Sequence, residues 1–96
     1  MPRISRAEVS TANGAVLMRH LCQHWGHKFP VECGPTAGRI ELPQAECVLT
    51  AGADRLDVRV ELADGADRAR LETVVEEHLK RFGFREQLVF AWTREE

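Results

Sequence analysis

Three of the four histidines, His20, His24 and His27, stand in one short segment, and the fourth, His78, lies within an apolar repeat further on. Imidazole changes charge near neutral pH and is the commonest protein ligand for metals. At 100° per residue the first three fall within a sector of roughly 60° on a helix. His20 and His24 have the i,i+4 spacing that lets two imidazoles reach one ion, and His27 follows one turn on. Such a stripe is a candidate site for a transition metal, zinc or iron. Leu21-Cys22-Gln23 fills the gap between the pair, so the glutamate base of a zinc-protease helix is missing. Cys22 is rotated away from both rings. The competing reading is a solvated helix flank rich in histidine. His78 is set among Leu71, Val74, Val75 and Phe82. There it reads either as a structural imidazole bonded to a carbonyl or, with Phe82, as the lining of a pocket between helices and sheet.

The elements that must position these groups follow from periodicity. Residues 4–10 alternate imperfectly and predict a first strand. Ser10, Thr11 and Asn13 offer N-cap oxygens for a helix that runs to about His27, with Leu17, Met18, Leu21, Cys22 and Trp25 on its apolar face. Pro30 stops it. Short extended segments follow at 31–33, 38–42 and 46–51. In 56–62, Leu56, Val58, Val60 and Leu62 point one way and Asp57, Arg59 and Glu61 the other, the pattern of a strand with one buried face. A second helix is predicted from about Gly65 to Phe82, capped by Asp64 and ended at Gly83, with Glu76–Lys80 and Glu77–Arg81 pairs on its outer side. Leu88, Phe90 and Trp92 alternate as a last strand. The order β-α-β-β-β-β-α-β with short connections predicts an α+β fold: a single antiparallel sheet with two helices packed on one face.

Ninety-six residues make one domain with one modest core, residues 1–96. Three cysteines without CxxC spacing, and no apolar stretch behind Met1-Pro2-Arg3, predict reduced thiols in a cytoplasmic protein. No apolar run approaches the ~20 residues that cross a bilayer, so no membrane partner is expected. A formal charge of −2 gives no electrostatic footprint for nucleic acid. The polar face of the sheet should carry Arg6, Glu8, Glu32, Arg39, Glu41, Asp57, Arg59 and Glu61, where acids outnumber bases and no ring offers stacking. There is no phosphate loop and no nucleophile elbow. Cys33 and Cys47 read as small core residues; a Cys/His enzyme would need one of them beside His20, His24 or His78.

Two stretches carry a resemblance. Leu21-Cys22-Gln23-His24-Trp25-Gly26-His27-Lys28 and Val74-Val75-Glu76-Glu77-His78-Leu79-Lys80-Arg81-Phe82-Gly83-Phe84-Arg85-Glu86 resemble the bacterial domain-of-unknown-function 2218 family. The similarity extends over nearly the whole chain, and Gly83 departs from it where alanine is usual. The resemblance implies a fold similar to TATA-box-binding-protein-like folds and carries no established active site. It also implies a link to siderophore-interacting flavin reductases, to which some relatives are joined or beside which they are encoded. The expectation is therefore a small accessory or binding domain in siderophore or iron utilisation, with a small molecule or such a reductase as partner. A metal-binding protein is the alternative. In a salt titration, DNA and RNA should show no saturable binding at physiological ionic strength; binding that persists there would overturn the charge argument.

Overall fold

The alternating segment becomes the middle of a sheet. The computed structural model describes residues 3–95; Met1 and Pro2, the first residues of the segment with no apolar stretch behind it, and Glu96 lie outside the described residues. The strands are β1 (Arg3–Ser10), β2 (Val31–Cys33), β3 (Ala37–Leu42), β4 (Ala45–Ala51), β5 (Arg55–Leu62) and β6 (Thr93–Glu95), and the helices α1 (Gly14–Trp25) and α2 (Arg68–Phe82). The sheet runs β2-β3-β4-β5-β1-β6 with every neighbouring pair antiparallel. Val58 sits between Leu49 of β4 and Ala7 of β1, and Val60 between Cys47 and Ser5. All of these side chains are buried on one face, as the alternation requires.

The first helix lies over the β2-β3-β4 half. Met18 and Leu21 are fully buried beneath it, each removing enough apolar surface to contribute about 1.5–3 kcal/mol. Gly38 lets it come close: a Cβ there would stand 3.0 Å from Cys22 Sγ and 3.3 Å from Met18 Cγ. Asn13 is the N-cap residue but makes no side-chain cap bond. Instead Thr11 Oγ1 accepts from the Asn13 N–H at 3.0 Å and donates to Glu86 at 2.7 Å, tying the turn after α2 to the start of α1.

The second helix is held by charge as well as by grease. Its buried stripe is Arg68, Glu72, Val75 and Leu79. Glu72 accepts 2.6 Å from Ser5 Oγ, while Arg94 grips its two carboxylate oxygens at 2.9 and 3.1 Å. Ser5 and Arg94 are cross-strand partners, so one carboxylate joins α2, β1 and β6. Burial alone would raise the Glu72 pKa. The bonds from Arg94 and Ser5, with the charges of Arg94 and Arg68, outweigh burial and hold it below the ordinary carboxylate value.

Several boundaries differ from expectation. The first helix ends at Trp25, so His27 falls in the following turn. The second begins at Arg68, and the cap is Asp67, whose side chain accepts from the Arg70 N–H; Gly65, at φ 81°, belongs to the preceding turn and not to the helix. The last strand is Thr93–Glu95 rather than the Leu88-Phe90-Trp92 alternation. Leu88 drops into the core, while Phe90 and Trp92 stack at 5.9 Å and Trp92 Nε1 donates to Glu76 at 2.9 Å. That segment follows α2, not a ladder, and its period of two comes from packing against the helix. Cys33 is exposed because β2 is the edge strand, whereas Cys47 in β4 is buried as expected.

Glu72→Gln should cost about 2–3 kcal/mol at neutral pH, since it removes a charged acceptor from a mostly buried network. The sign of the pH dependence follows from the lowered pKa: the contribution is complete above about pH 4.5, the ordinary value, and fades as pH falls through the native pKa. Denaturant titrations of both proteins should therefore converge in acid. A variant equal to the parent at pH 7 would show that the clamp contributes nothing.

Candidate functional site

The apolar stripe of α2 is wider than its buried row. Leu71, Val74, His78 and Phe82 form a second, half-buried row that faces α1. His78 lies in this row, half-buried. Its Nδ1 stands 2.7 Å from the Val74 carbonyl. A carbonyl only accepts, so Nδ1 carries the proton, and in the neutral ring Nε2 remains an acceptor. The imidazole is thus a structural side chain on one edge and a chemical group on the other.

The rings from α1 meet it. Trp25 lies 4.9 Å from His78 and His24 lies 5.1 Å from it, both tilted. His24 also contacts Phe82 at 5.9 Å, and His20 meets the same ring edge-on at 5.5 Å. His20, His24 and His27 share one shallow depression with Gln23 and Phe82, although His27 lies in the turn beyond the helix. The closest imidazole partner of His24, however, is His78 on the other helix, which the spacing did not reveal. Among the described residues no group of three or more His, Cys, Asp or Glu side chains is placed to hold a metal ion.

Beside these rings opens a cleft of about 640 Å³. Trp25, Phe29, Leu71 and Val74 supply apolar walls, and Leu42 and Pro43 close it from the β3–β4 hairpin, whose two-residue turn places Gln44 at φ 67°. His24, His27, Lys28, Arg70 and His78 are its polar lining, and no carboxylate is among the described lining residues. A volume between 300 and 1,000 Å³, apolar walls and a few convergent polar groups are the usual features of a small-molecule site. Burial lowers the His24 pKa first, and the positive neighbours His78, Arg81, His27 and Lys28 lower it further. His24 is therefore neutral at pH 7, and an anion in the cleft would favour its protonation.

A second depression, about 620 Å³, lies on the uncovered face of the sheet. Charged residues there are already engaged with one another: Arg6 with Glu95 at 2.7 Å, Arg59 with Glu61 at 3.2 Å, and Arg55 with Asp57 at 3.4 Å. A ligand would have to break these pairs, so the helix-side cleft is the stronger candidate. The Cys/His pairing has no geometric support. Cys33 lines a depression with Arg19, Cys22, Gln23, Gly26 and Val31, and no histidine is among them.

Of the expected site residues, the structure brings His24, His27 and His78 into one cleft and sets His20 and Phe82 beside it. It adds Lys28, Phe29, Leu42, Pro43 and Arg70, for which the sequence carries no signal because three separate elements contribute them.

Fold and cleft together define a small α+β domain with a ligand-sized depression between its helices. The chain belongs to the family described as "Uncharacterized protein conserved in bacteria (DUF2218)", which it matches over residues 6–93. It is similar to PA4090 from Pseudomonas aeruginosa, solved by NMR, with a TM-score of 0.78 and 36% sequence identity over 97% of this chain and 96% of that one. No curated protein matches it. No described helix is long and apolar enough to cross a membrane.

The lowered pKa of His24 has a direct readout. In an NMR titration its midpoint should fall below 6.5, and His78→Ala should move it upward by removing both cover and a positive neighbour. A midpoint at or above 6.5 in the parent protein would contradict the described packing.

Proposed function

We propose that this domain binds a small amphipathic anion, an apolar ring or chain bearing a carboxylate, in the cleft between α1, α2 and the β3–β4 hairpin. The observation that carries the reading is the pairing of apolar walls with a rim of Lys28, Arg70 and three imidazoles, with no carboxylate among the described lining residues. The apolar part would cover Trp25, Phe29 and Val74. The anion would meet Lys28 or Arg70, with His24 donating once protonated. Burial of the ligand's apolar surface supplies affinity, and the cationic rim selects charge.

The link to siderophore-interacting flavin reductases that the family resemblance implies would narrow the ligand to a catecholate or carboxylate fragment of a siderophore. The domain would then be a cytoplasmic accessory in iron utilisation. Benzoate and 2,3-dihydroxybenzoate are suitable probes, with benzyl alcohol as an uncharged control. Both acids should shift Trp25, Phe29, Val74 and His78 resonances, and should bind more tightly at about pH 6 than at about pH 8 as imidazoles protonate. The double change Lys28→Gln with Arg70→Gln should weaken them roughly tenfold, equivalent to about 1.4 kcal/mol. Equal binding of the uncharged control, or shifts confined to the open sheet face, would overturn the reading.

A second reading is favoured by the depression shared by His20, His24 and His27. Zinc or nickel bound there should raise the melting temperature at about pH 7.5, much less at about pH 5.5, and not at all in His20→Ala with His24→Ala. An unchanged melting temperature at millimolar metal would return the stripe to a solvated flank.

A further inference from the structure

Two of the three cysteines, Cys22 and Cys33, meet at the other side of α1. Cys22 points down from the helix onto β3, where its Sγ lies 3.0 Å from the place a Gly38 Cβ would occupy. Gly38 is the direct cross-strand partner of Cys33. Opposite residues of an antiparallel pair have Cβ positions roughly 4.5–5.5 Å apart, so the Cys33 side chain rises beside the Cys22 sulfur. Both line one depression of about 420 Å³ with Arg19 and Val31. Cys22 is buried, Cys33 is exposed, and both are free thiols.

An exposed thiol next to a buried one is the arrangement of an attacking cysteine with its resolving partner. We propose that Cys22 and Cys33 form a reversible disulfide by exchange with a low-molecular-weight disulfide such as oxidised glutathione. The Cys33 thiolate attacks that disulfide, forms a mixed disulfide and releases one thiolate. Cys22 then loses its proton and attacks the Cys33 sulfur, displacing the second thiolate. One external disulfide becomes two thiols, and two protein thiols become one disulfide. Burial, with Cys33 adding to it, pushes the Cys22 thiol up to about 12. Cys47, fully buried in β4, stays reduced because no reagent reaches it.

The bond would close the segment 22–33, which carries His24, Trp25, His27, Lys28 and Phe29 of the cleft. Redox state would thereby set the freedom of one wall of the cleft. That consequence rests on the cleft reading; the chemistry of the pair does not.

The folded full-length chain, reduced and then exposed to oxidised glutathione at about pH 8, tests the proposal by mass spectrometry. Tryptic cleavage separates the cysteines into peptides 20–28, 29–39 and 40–55. The expected product has lost two hydrogens, joins 20–28 to 29–39 and reverts with dithiothreitol. Cys33→Ser, at an exposed position, should keep the fold and give no cross-link. Cys22→Ala should stop at the mixed disulfide on 29–39. Arrest of the parent protein at the mixed disulfide, a cross-link to 40–55, or an intramolecular cross-link surviving in Cys33→Ser would each refute it.

Discussion

The position of α2 depends on one carboxylate. Glu72 is taken almost wholly out of water, and a charge so placed has to be matched by donors in good geometry. Ser5 and Arg94 are those donors, and they lie side by side on neighbouring strands, so the match is satisfied at only one rotation and one height of the helix. An apolar residue at 72 would impose no such directional match. With Glu72 fixed, Val75 and Leu79 enter the core, and the next row of side chains, Leu71, Val74, His78 and Phe82, is turned toward α1. The cleft is thus a consequence of the clamp: it is the part of the helix face that the core does not use.

The dimensions of the sheet explain why that space stays open. Six strands at about 4.8 Å spacing span some 24 Å, and two helices of about 10 Å diameter nearly cover them. They do not lie equally well. With Gly38 beneath it, α1 settles deeply on β3. The second helix is drawn toward β1 and β6 by its polar clamp, and the slack collects between them. At one end it is filled by rings, where His24, Trp25, His78 and Phe82 meet. Toward the hairpin it is not filled, and Leu42 and Pro43 close the remaining volume from the side.

Periodicity made much of this legible. The strict alternation of 56–62 located the central strand, and the α1 stripe from Leu17 to Trp25 named buried residues correctly, because both signals are local and repeat several times. The last strand escaped for the opposite reason. Leu88, Phe90 and Trp92 have the right alternation, but a three-point pattern does not separate a ladder from a segment lying along a helix, and the Trp92–Glu76 bond is visible only in three dimensions. Glu72 and Arg68 were hidden for a different reason: charged residues read as surface, and their burial depends on Ser5, Arg94 and Glu95 from distant parts of the chain. The same holds for the site. His20, His24 and His27 were grouped by helical spacing, but the contact of His24 with His78 joins residues 54 apart.

Charge is distributed in a way that the net value conceals. With a formal charge of −2, the chain is a poor partner for a polyanion. The uncovered face of the sheet carries acids of its own, and Glu8, Asp57 and Glu61 there engage arginines on neighbouring positions. The helix-side cleft instead presents Lys28 and Arg70 with three imidazoles. Screening in salt weakens charges more than about 8–10 Å from a bound group, so a small anion in the cleft experiences the rim cations more strongly than the acids on the far face of the sheet. A nucleic-acid strand, extending far beyond that radius, experiences both. The acidic balance that excludes the long anion therefore leaves the small one favoured. Because the apolar walls occupy most of the cleft, the preferred small anion is one with a hydrophobic body, not a bare inorganic ion.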